Sequence, residues 1–273
     1  MIPLYEKYRP RHLDEVVGQD LAVKRLRIAT RQGIAGNAFW IAGPSGMGKT
    51  TIAHILANEV AEKEYIFEID AGDATPARWK DLEYDMHYGA PGKGGRAYIV
   101  NESHGLHRDA IRQLLVLLER QPRHTLIIFT TSKVARMQQM LFDDRSDGHP
   151  LVSRCIRVDL ACGGMEEAFA NRVMDIARRE ELDGGRALED FIELGERYQW
   201  NLRAMIGAVQ NGEMMFFDEA AETVADEDDS ACGVIMANGR KCPSPVALPN
   251  GRCRQHASWP AKEGAGKKRR AYA

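Results

Sequence analysis

One stretch decides how the chain is interpreted: FWIAGPSGMGKT, residues 39–50. Its first four residues form a short apolar run that predicts a buried strand, and residues 43–50 fit the pattern G-x-x-x-x-G-K-[ST]. Apolar residues then recur at helical spacing through residues 52–60. A strand, a glycine-rich loop and a helix in this order are typical of a phosphate-binding P-loop.

The residue types of the loop fit the chemistry of a nucleotide phosphate. Glycines let backbone N–H groups converge on the β-phosphate at the positive end of a helix dipole. We expect Lys49 to neutralise β- and γ-phosphate oxygens and the Thr50 hydroxyl to ligate Mg²⁺. The other interpretation is a glycine-rich turn that opens an ordinary helix. The predicted nucleotide-binding residues here are Gly43, Pro44, Ser45, Gly46, Met47, Gly48, Lys49, Thr50 and Thr51.

The pattern of the first strand repeats along the chain. Short apolar runs at residues 66–69, 97–100 and 126–129 each end in a polar or glycine-rich turn. Amphipathic stretches separate the runs, so the sequence predicts an α/β fold with a parallel sheet covered by helices over residues 1–160. In such folds the carboxyl ends of the strands carry the binding site.

A second candidate motif follows the run at residues 97–100. Glu102 is predicted to be the general base that orients an attacking water. Asn101 stands where such strands usually carry Asp, and its neutral amide brings no negative charge to Mg²⁺, which predicts slower hydrolysis or weaker Mg²⁺ binding. The alternative is that the pair caps the next helix. His104 is interpreted as a turn or cap residue.

Composition excludes several classes of protein. The 273 residues are 44% hydrophobic and 28% charged, which suffices for one core or two. A formal net charge of −2 excludes a uniformly basic nucleic-acid coat and an acidic solvating chain. No apolar run approaches the ~20 residues that cross a bilayer, and the N-terminus lacks the apolar core of a signal peptide. We therefore expect a cytoplasmic protein with no membrane partner.

The chain changes character after residue 160. Residues 161–217 carry apolar side chains at helical spacing and predict a small all-helical domain. Residues 218–231 are rich in Asp and Glu without Lys or Arg, which predicts an acidic linker. Residues 257–273 form a basic tail, interpreted either as a solubilising end or as a contact with a phosphate backbone.

Residues 232–256 carry the pattern C-x₉-C-x₁₀-C-x₂-H. Three thiolates and an imidazole suit tetrahedral Zn²⁺, which would stabilise a segment too small for a core. The alternative is coincidental cysteines in a loose tail. The segment resembles small Cys/His modules of phage-encoded proteins. The predicted zinc ligands are Cys232, Cys242, Cys253 and His256. Cys155 and Cys162 are interpreted as buried apolar thiols.

Four further segments resemble the clamp-loader AAA+ ATPases, which include the small subunits of replication factor C and the bacterial tau/gamma subunit. They are LYEKYRP at residues 4–10, LDEVVGQ at 13–19, EIDAGD at 68–73 and LVSRC at 151–155. The resemblance covers residues 2 to about 217. It implies a P-loop AAA+ domain, a helical lid at residues 161–217, and ATP with Mg²⁺ as cofactors.

The resemblance assigns roles to residues outside the loop. The N-terminal segments of the family frame the adenine, and here they supply Tyr8, Arg9, Pro10, Val17 and Gly18. Thr131 falls on the sensor threonine, whose hydroxyl contacts the γ-phosphate or the water. The alternative for Thr131 is a strand-end cap.

Two arginines match family motifs. Arg203 in the segment 200–203 matches the lid arginine of Gly-Asp-Leu-Arg, although Trp200 and Asn201 replace the first two residues. A helix-surface arginine is the alternative. Arg154 in LVSRC resembles the arginine finger that reaches the ATP of a neighbouring subunit, worth ~10³ to 10⁵ in rate. Its alternative is a salt bridge within its own domain.

The implied function is an ATP-driven clamp-loader-like subunit that acts on DNA in replication. Its expected partners are other AAA+ subunits, a sliding clamp and primed or duplex DNA. Too few residues follow the lid to build the helical collar of the family, so a collar-bearing partner is also expected. The alternatives are a hydrolysis-impaired ATP-binding adaptor that recruits a partner through its zinc module, and an ATPase of the helicase-loader or Holliday-junction type.

Basic residues near the places where clamp loaders line their inner channel are candidates for DNA contact, with a solvated surface as the alternative. They are Arg78, Lys80, Lys93, Arg96 and Arg108, together with Arg240, Lys241, Arg252 and Arg254 of the Cys/His segment.

Overall fold

A parallel β-sheet of five strands forms the centre of the fold. The computed structural model describes residues 2–73, 75–132, 149–161 and 163–216. The strands in these ranges are β1 (Ala38–Ala42), β2 (Ile66–Asp70), β3 (Arg96–Asn101), β4 (Thr125–Thr131) and β5 (Ile156–Asp159). They lie in the order β2-β3-β4-β1-β5, and every pair is parallel. The predicted α/β fold with a parallel sheet is confirmed.

The sheet edge at β5 was not among the predicted strands. Its four residues alternate between apolar and charged, and Arg157 pairs with Asp159 at 2.9 Å. A strand covered on one side only has no need of a continuous apolar run. β5 therefore lacks the short apolar run that located the other four strands.

Helices cover the sheet and continue beyond it. Within the described ranges they are α1 (Leu4–Lys7), α2 (Asp20–Ala29), α3 (Lys49–Val60), α4 (Pro76–Met86), α5 (Arg108–Glu119), α6 (His149–Ser153), α7 (Glu166–Arg179), α8 (Leu188–Arg197) and α9 (Leu202–Gln210). α7 packs against both α8 and α9, and α1 packs against α9. α1 therefore lies on α9, although the two helices are far apart in the sequence.

Alternate residues of β1 enter two separate apolar layers. Phe39 and Ile41 belong to the layer that includes α2 and α3, and Trp40 belongs to the layer that includes α4 and α5. The Trp40 ring stacks on Phe129 with the centroids 5.6 Å apart. Burial on both sides of the sheet, at about 1.5–3 kcal/mol for each large apolar side chain, holds the strand that leads into the loop.

The loop before α2 is fixed to the chain that leads into α7. Gln19 is buried, and its side chain both donates to the Ala161 carbonyl oxygen at 3.4 Å and accepts from the Ala161 N–H at 2.7 Å. Gly18 has a φ of +69°, and a Cβ there would lie 2.6 Å from the Met165 Cβ. A side chain at residue 18 would therefore separate the segment from α7.

The described residues up to residue 215 belong to one compact unit. The predicted acidic linker (218–231), Cys/His module (232–256) and basic tail (257–273) lie outside the described residues. No helix in the described part of the chain is long and apolar enough to span a membrane.

Candidate nucleotide-binding site

The glycine-rich loop joins the carboxyl end of β1 to the start of α3. The Gly43 N–H donates to the Thr131 carbonyl oxygen at 3.2 Å, which attaches the loop to β4. Gly46 and Gly48 have φ angles of +78° and +95°, a backbone conformation that residues with a side chain rarely adopt. Gly48 immediately precedes α3, whose first N–H groups have no partner within the helix and suit an anion.

Lys49 is the buried cation of this loop. It is 7% exposed, and its Nζ donates to the Pro44 carbonyl oxygen at 2.8 Å across the loop. Burial lowers the pKa of Lys49, the Glu102 carboxylate raises it, and the Arg203 guanidinium lowers it again. Because Lys49 and Arg203 repel each other here, an anionic phosphate bound beside them would stabilise both. The charges of the loop therefore fit a nucleotide phosphate.

A cleft lies beside the loop, between the N-terminal segment, the start of α3 and the start of α9. Apolar side chains of α9, Leu202 and Ile206, contribute to its lining. The sequence-predicted site residues that line it are Tyr8, Arg9, Pro10, Val17, Ser45, Gly46, Gly48, Lys49, Thr50, Thr51, Glu102 and Arg203. Phosphate-binding groups and apolar walls thus meet in one cleft, as a nucleotide requires.

The structure places the remaining predicted loop residues behind the cleft rather than in its wall. Met47 is 5% exposed and belongs to the core. A Cβ on Gly43 would lie 2.8 Å from the Leu160 Cβ, and Gly18 packs on α7 as described above. These residues, with Pro44, shape the loop and its supports.

Asn101 lies at the end of β3 in a hydrogen-bond chain that crosses the sheet. Its Nδ2 donates to Glu68 Oε2 of β2 at 3.1 Å, and its Oδ1 accepts from the Thr130 hydroxyl of β4 at 3.0 Å. His54 Nε2 of α3 contacts the other Glu68 oxygen at 2.9 Å. The amide at residue 101 is therefore fixed at both ends, and the nearby carboxylate belongs to β2.

Glu102 leaves β3 in strained backbone, with a φ of +49°. Its Oε2 accepts from the Ser132 hydroxyl at 2.7 Å and from the Ser132 N–H at 3.2 Å. His104 Nδ1 lies 3.2 Å from the same oxygen and 3.3 Å from the hydroxyl oxygen of the buried Thr131. The predicted base and sensor are thus brought together, with Ser132 and His104 between them.

The N-terminal segment ties the cleft to the helices that follow β5. The Tyr8 hydroxyl donates to Glu180, which Lys7 Nζ also contacts at 2.6 Å, and Arg172 donates to the Tyr8 carbonyl oxygen at 3.2 Å. The hydrogen bonds from Lys7 and Tyr8 lower the pKa of Glu180. Arg9 Nε reaches the Thr51 hydroxyl of α3 at 3.5 Å. Tyr8 and Arg9 therefore contact the two sides of the cleft.

The turn before α9 brings Arg203 to the cleft. Arg203 lies over the Tyr5 ring, 5.6 Å from its centroid. Asn201 caps α9 by accepting from the Ala204 N–H at 3.2 Å, and a Cβ on Gly46 would lie 1.8 Å from Asn201 Oδ1. Trp200 adopts a φ of +58°, which explains why the resembling motif has Gly at this position.

Arg154 lies outside the cleft. Its guanidinium contacts Glu119 Oε1 of α5 at 2.8 Å and donates to the Pro150 carbonyl oxygen at 3.1 Å. The pair is solvent-exposed, with 39% of the Arg154 side chain and 60% of the Glu119 side chain accessible. The alternative interpretation, a salt bridge within the domain, is therefore present in this structure.

Of the two predicted metal sites, the structure describes the residues of the Mg²⁺ site and not those of the zinc site. Thr50 and Glu102 offer oxygen ligands beside the loop, the type that Mg²⁺ prefers, and Asn101 Oδ1 lies at the adjacent strand end. Within residues 2–73, 75–132, 149–161 and 163–216 no group of three or more His, Cys, Asp or Glu side chains forms a metal cluster. The predicted zinc ligands lie outside these residues.

Cys155, predicted from the sequence to be a buried apolar thiol, is not in a disulfide, and burial raises its pKa to about 12.

Two of the basic DNA candidates are engaged within the chain. Lys93 Nζ donates to the Asn58 carbonyl oxygen, and Arg96 donates to the Tyr88 carbonyl oxygen at 2.9 Å while lying over the Tyr65 ring. Arg240, Lys241, Arg252 and Arg254 lie outside the described residues.

Known proteins share both the sequence pattern and the fold. The Holliday junction DNA helicase RuvB P-loop domain matches residues 8–71. Replication factor C small subunit from Archaeoglobus fulgidus is 28% identical over 81% of this chain and 68% of its own. DNA polymerase III subunit tau from Bacillus subtilis is 27% identical over 66% of this chain and 34% of its own. Replication factor C large subunit from Thermococcus kodakarensis is 30% identical over 44% of this chain and 25% of its own.

The RuvB Holliday junction branch migration motor of Thermotoga maritima has a similar fold, with a TM-score of 0.58 and 21% identity over 81% of this chain and 68% of that one. The sheet order, the P-loop after β1 and the helices after β5 define the class of fold, which is that of the AAA+ P-loop ATPases. The chain is similar in sequence to the replication factor C and DNA polymerase III tau subunits, although it spans only about a third of the tau subunit.

Proposed function

We propose that the chain binds ATP with Mg²⁺ and hydrolyses it as one subunit of a clamp-loader-like, cytoplasmic assembly that acts on DNA in replication. The observation that carries the proposal is the convergence of Lys49, Thr50, Glu102 and Arg203 on one cleft beside the glycine-rich loop. The relatives named as replication factor C and DNA polymerase III subunits support the replication setting.

Each group in the cleft has a chemical task in this proposal. Lys49 and Arg203 neutralise phosphate oxygens, and loop N–H groups hold the β-phosphate. Mg²⁺, held by Thr50, would neutralise the charge that develops between the β- and γ-phosphates. Glu102 orients the attacking water, with Oε2 fixed by Ser132 so that Oε1 accepts the proton.

The proposal assigns Arg154 to the ATP of a neighbouring subunit. Arg154 lies outside its own cleft and is held by an exposed ion pair with Glu119. Exposed pairs of this kind contribute about 0–1 kcal/mol, so the guanidinium can leave Glu119 at small cost when a neighbour docks. A monomer would then hydrolyse ATP far more slowly than the assembly.

Steady-state ATP hydrolysis with primed DNA tests the assignment. We expect Glu102→Gln and Arg154→Ala each to lose most of the turnover, whereas Arg157→Ala, which removes another exposed arginine paired with a carboxylate, keeps it. A mixture of the two inactive variants should regain activity, because Glu102→Gln subunits supply an arginine to intact sites of Arg154→Ala subunits. A mixture that stays inactive, or full activity of a strictly monomeric chain, would contradict the trans arginine.

Two other functions have their own supporting observation. The match to the RuvB P-loop domain favours a Holliday-junction or helicase-loader ATPase, and turnover stimulated by a four-way junction but not by primed DNA with a sliding clamp would establish it. The neutral Asn101 amide favours slow hydrolysis and, at the limit, an ATP-binding adaptor. Nucleotide binding without turnover in any DNA or partner condition would identify the adaptor.

The C-terminal proposals rest on sequence. Cys232, Cys242, Cys253 and His256 hold one Zn²⁺, and a collar-bearing AAA+ partner completes the assembly. Native mass spectrometry of the full chain with ATP should show one zinc per chain and report which subunits associate. Zinc content that stays unchanged in the Cys253→Ser variant would contradict the ligand set.

A further inference from the structure

His104 occupies a fixed position directly after the predicted catalytic carboxylate. It lies in the short helical turn Ser103–Gly105, which Glu102 enters with left-handed backbone. The buried Ser103 hydroxyl donates to the Val100 carbonyl oxygen at 2.9 Å, and the Gly105 N–H donates to the Glu102 carbonyl oxygen at 2.9 Å. Because both ends of the turn are bonded, the His104 ring, 17% exposed, is held against the end of β4.

One ring nitrogen of His104 meets both the proposed base Glu102 and Thr131, the residue that the resemblance identifies as the sensor threonine. Nδ1 lies 3.2 Å from Glu102 Oε2 and 3.3 Å from the Thr131 hydroxyl oxygen. Ser132 holds the same carboxylate oxygen from the other strand end, at 2.7 Å. The base and the sensor threonine are therefore joined through a single atom, and neither turn formation nor capping requires that contact.

The hydrogen-bond inventory decides which tautomer fits. An ionised carboxylate only accepts hydrogen bonds, so Nδ1 must carry the proton when it faces Glu102. The Thr131 hydroxyl oxygen then accepts from the same N–H, and the hydroxyl proton is directed to another acceptor. With the proton on Nε2 instead, the Nδ1 lone pair would face a carboxylate oxygen at 3.2 Å.

We propose that His104 is a positioning residue whose Nδ1–H holds the Glu102 carboxylate in place beside the end of β4. This inference rests on the proposed ATP hydrolysis for its consequence. Its structural content, the Nδ1–H tautomer bonded to Glu102, stands independently of turnover.

The tautomer is read directly by long-range ¹⁵N–¹H NMR spectra of the full chain labelled in histidine. The His104 signal is assigned by its loss in His104→Gln. We expect a protonated Nδ1 in the wild type, and a larger population of the Nε2–H form in Glu102→Ala, which removes the oxygen that accepts from Nδ1. An unprotonated Nδ1 in the wild type would overturn the proposal whether or not the protein hydrolyses ATP.

Kinetics on matched variants test the consequence. In His104→Asn the side-chain amide nitrogen occupies the position of Nδ1, whereas in His104→Gln it occupies the position of Nε2. We expect His104→Leu and His104→Gln to lower kcat about 10-fold with ATP affinity unchanged within about twofold, and His104→Asn to keep most of the activity. His107→Leu, an exposed histidine before α5 whose side chain makes no cap hydrogen bond, is the control.

The outcomes separate the two proposals. Equal activity of His104→Leu and wild type, equal activity of the Asn and Gln variants, or loss of ATP affinity in step with kcat would show a merely structural histidine. Absence of turnover in the wild-type assembly would overturn the proposed hydrolysis instead, and the NMR result would then decide the role of His104.

Discussion

The glycine-rich loop and the turn before α9 both pass through left-handed backbone, with different residues. In the loop, Gly46 and Gly48 have φ angles of +78° and +95°. In the turn before α9, Gln199 and Trp200 have φ angles of +51° and +58°. A residue with a side chain loses about 1–2 kcal/mol in this conformation, whereas glycine does not.

The surroundings explain the difference. At Gly46 the backbone approaches Asn201 so closely that a Cβ would lie 1.8 Å from the side-chain oxygen, so a side chain has no room. At Trp200 the side chain is itself the packing element, since its ring lies where a Cβ on Gly195 would be 2.3 Å away. Glycine stands where the backbone must stay accessible to a ligand, and a large side chain stands where packing offsets the strain.

The largest expected effect is on ATP affinity, to which Lys49 in the loop and Arg203 near the turn before α9 should contribute unequally. Lys49→Met should weaken ATP binding about 100-fold, or about 2.7 kcal/mol, because Lys49 is buried beside the loop. Arg203→Met should weaken it about 10-fold, since Arg203 is solvent-exposed and its charge is screened. Titration with a fluorescent ATP analogue measures both affinities, and equal losses would remove the distinction between the loop and the turn before α9.

Without nucleotide, the same Lys49→Met variant should unfold at a higher temperature than the wild type at neutral pH. Burial lowers the pKa of Lys49 in the folded state, so the charged amine destabilises the fold. The stability advantage of the variant is full at pH values below the pKa of Lys49 in the folded state, and it falls as the pH rises from there toward 10.5, the ordinary pKa of a lysine. Thermal melts across this pH range check the sign, and an advantage that grew with pH would contradict it.

Alanine substitutions at the loop glycines test the close contact between the loop and Asn201. Gly46→Ala combines strain with overlap on Asn201 and should lower the free energy of unfolding by about 2 to 3 kcal/mol. Gly48→Ala meets no atom within 4 Å and should cost about 1–2 kcal/mol from strain alone. Urea denaturation compares them, and the double change Gly46→Ala with Asn201→Gly should recover the difference.

A smaller loss of stability is expected when the packing around Trp200 is disturbed. Gly195→Ala would place a Cβ 2.3 Å from the Trp200 ring inside α8. Overpacking should outweigh the better helix propensity of Ala and lower the free energy of unfolding by about 1 to 2 kcal/mol. Gly207→Ala in α9, where a Cβ meets nothing within 4 Å, is the matched control and should be stabilising. The same response at both glycines would contradict the packing role of Trp200.

The smallest expected effect is a gain. Gln199→Gly removes a side chain from an exposed left-handed residue and should stabilise the fold by about 0.5 kcal/mol, after the larger entropy of glycine in the unfolded chain is subtracted. Calorimetry should show a higher melting temperature for this variant. A lower one would mean that the turn before α9 carries no releasable strain.

Sequence patterns predicted four of the five described strands because each contains a short, mainly apolar run, and they predicted the phosphate-binding loop because its motif is specific. The same reasoning placed Lys49, Thr50 and Glu102 near one another, since the carboxyl ends of parallel strands share an edge. The edge strand β5 escaped because it alternates, and Ser132 and His104 escaped because no motif marks them. Their contacts with Glu102 depend on how the ends of β3 and β4 align.

By itself, the sequence determined the parallel α/β sheet and the phosphate-binding loop, because periodicity and glycine spacing act over a few neighbouring residues. The tertiary structure alone decided that Asn101 joins Glu68 and Thr130, that Arg154 pairs with Glu119, and that His104 lies between Glu102 and Thr131. Hydrogen bonds between residues remote in sequence depend on angstrom-scale packing, which no local pattern encodes.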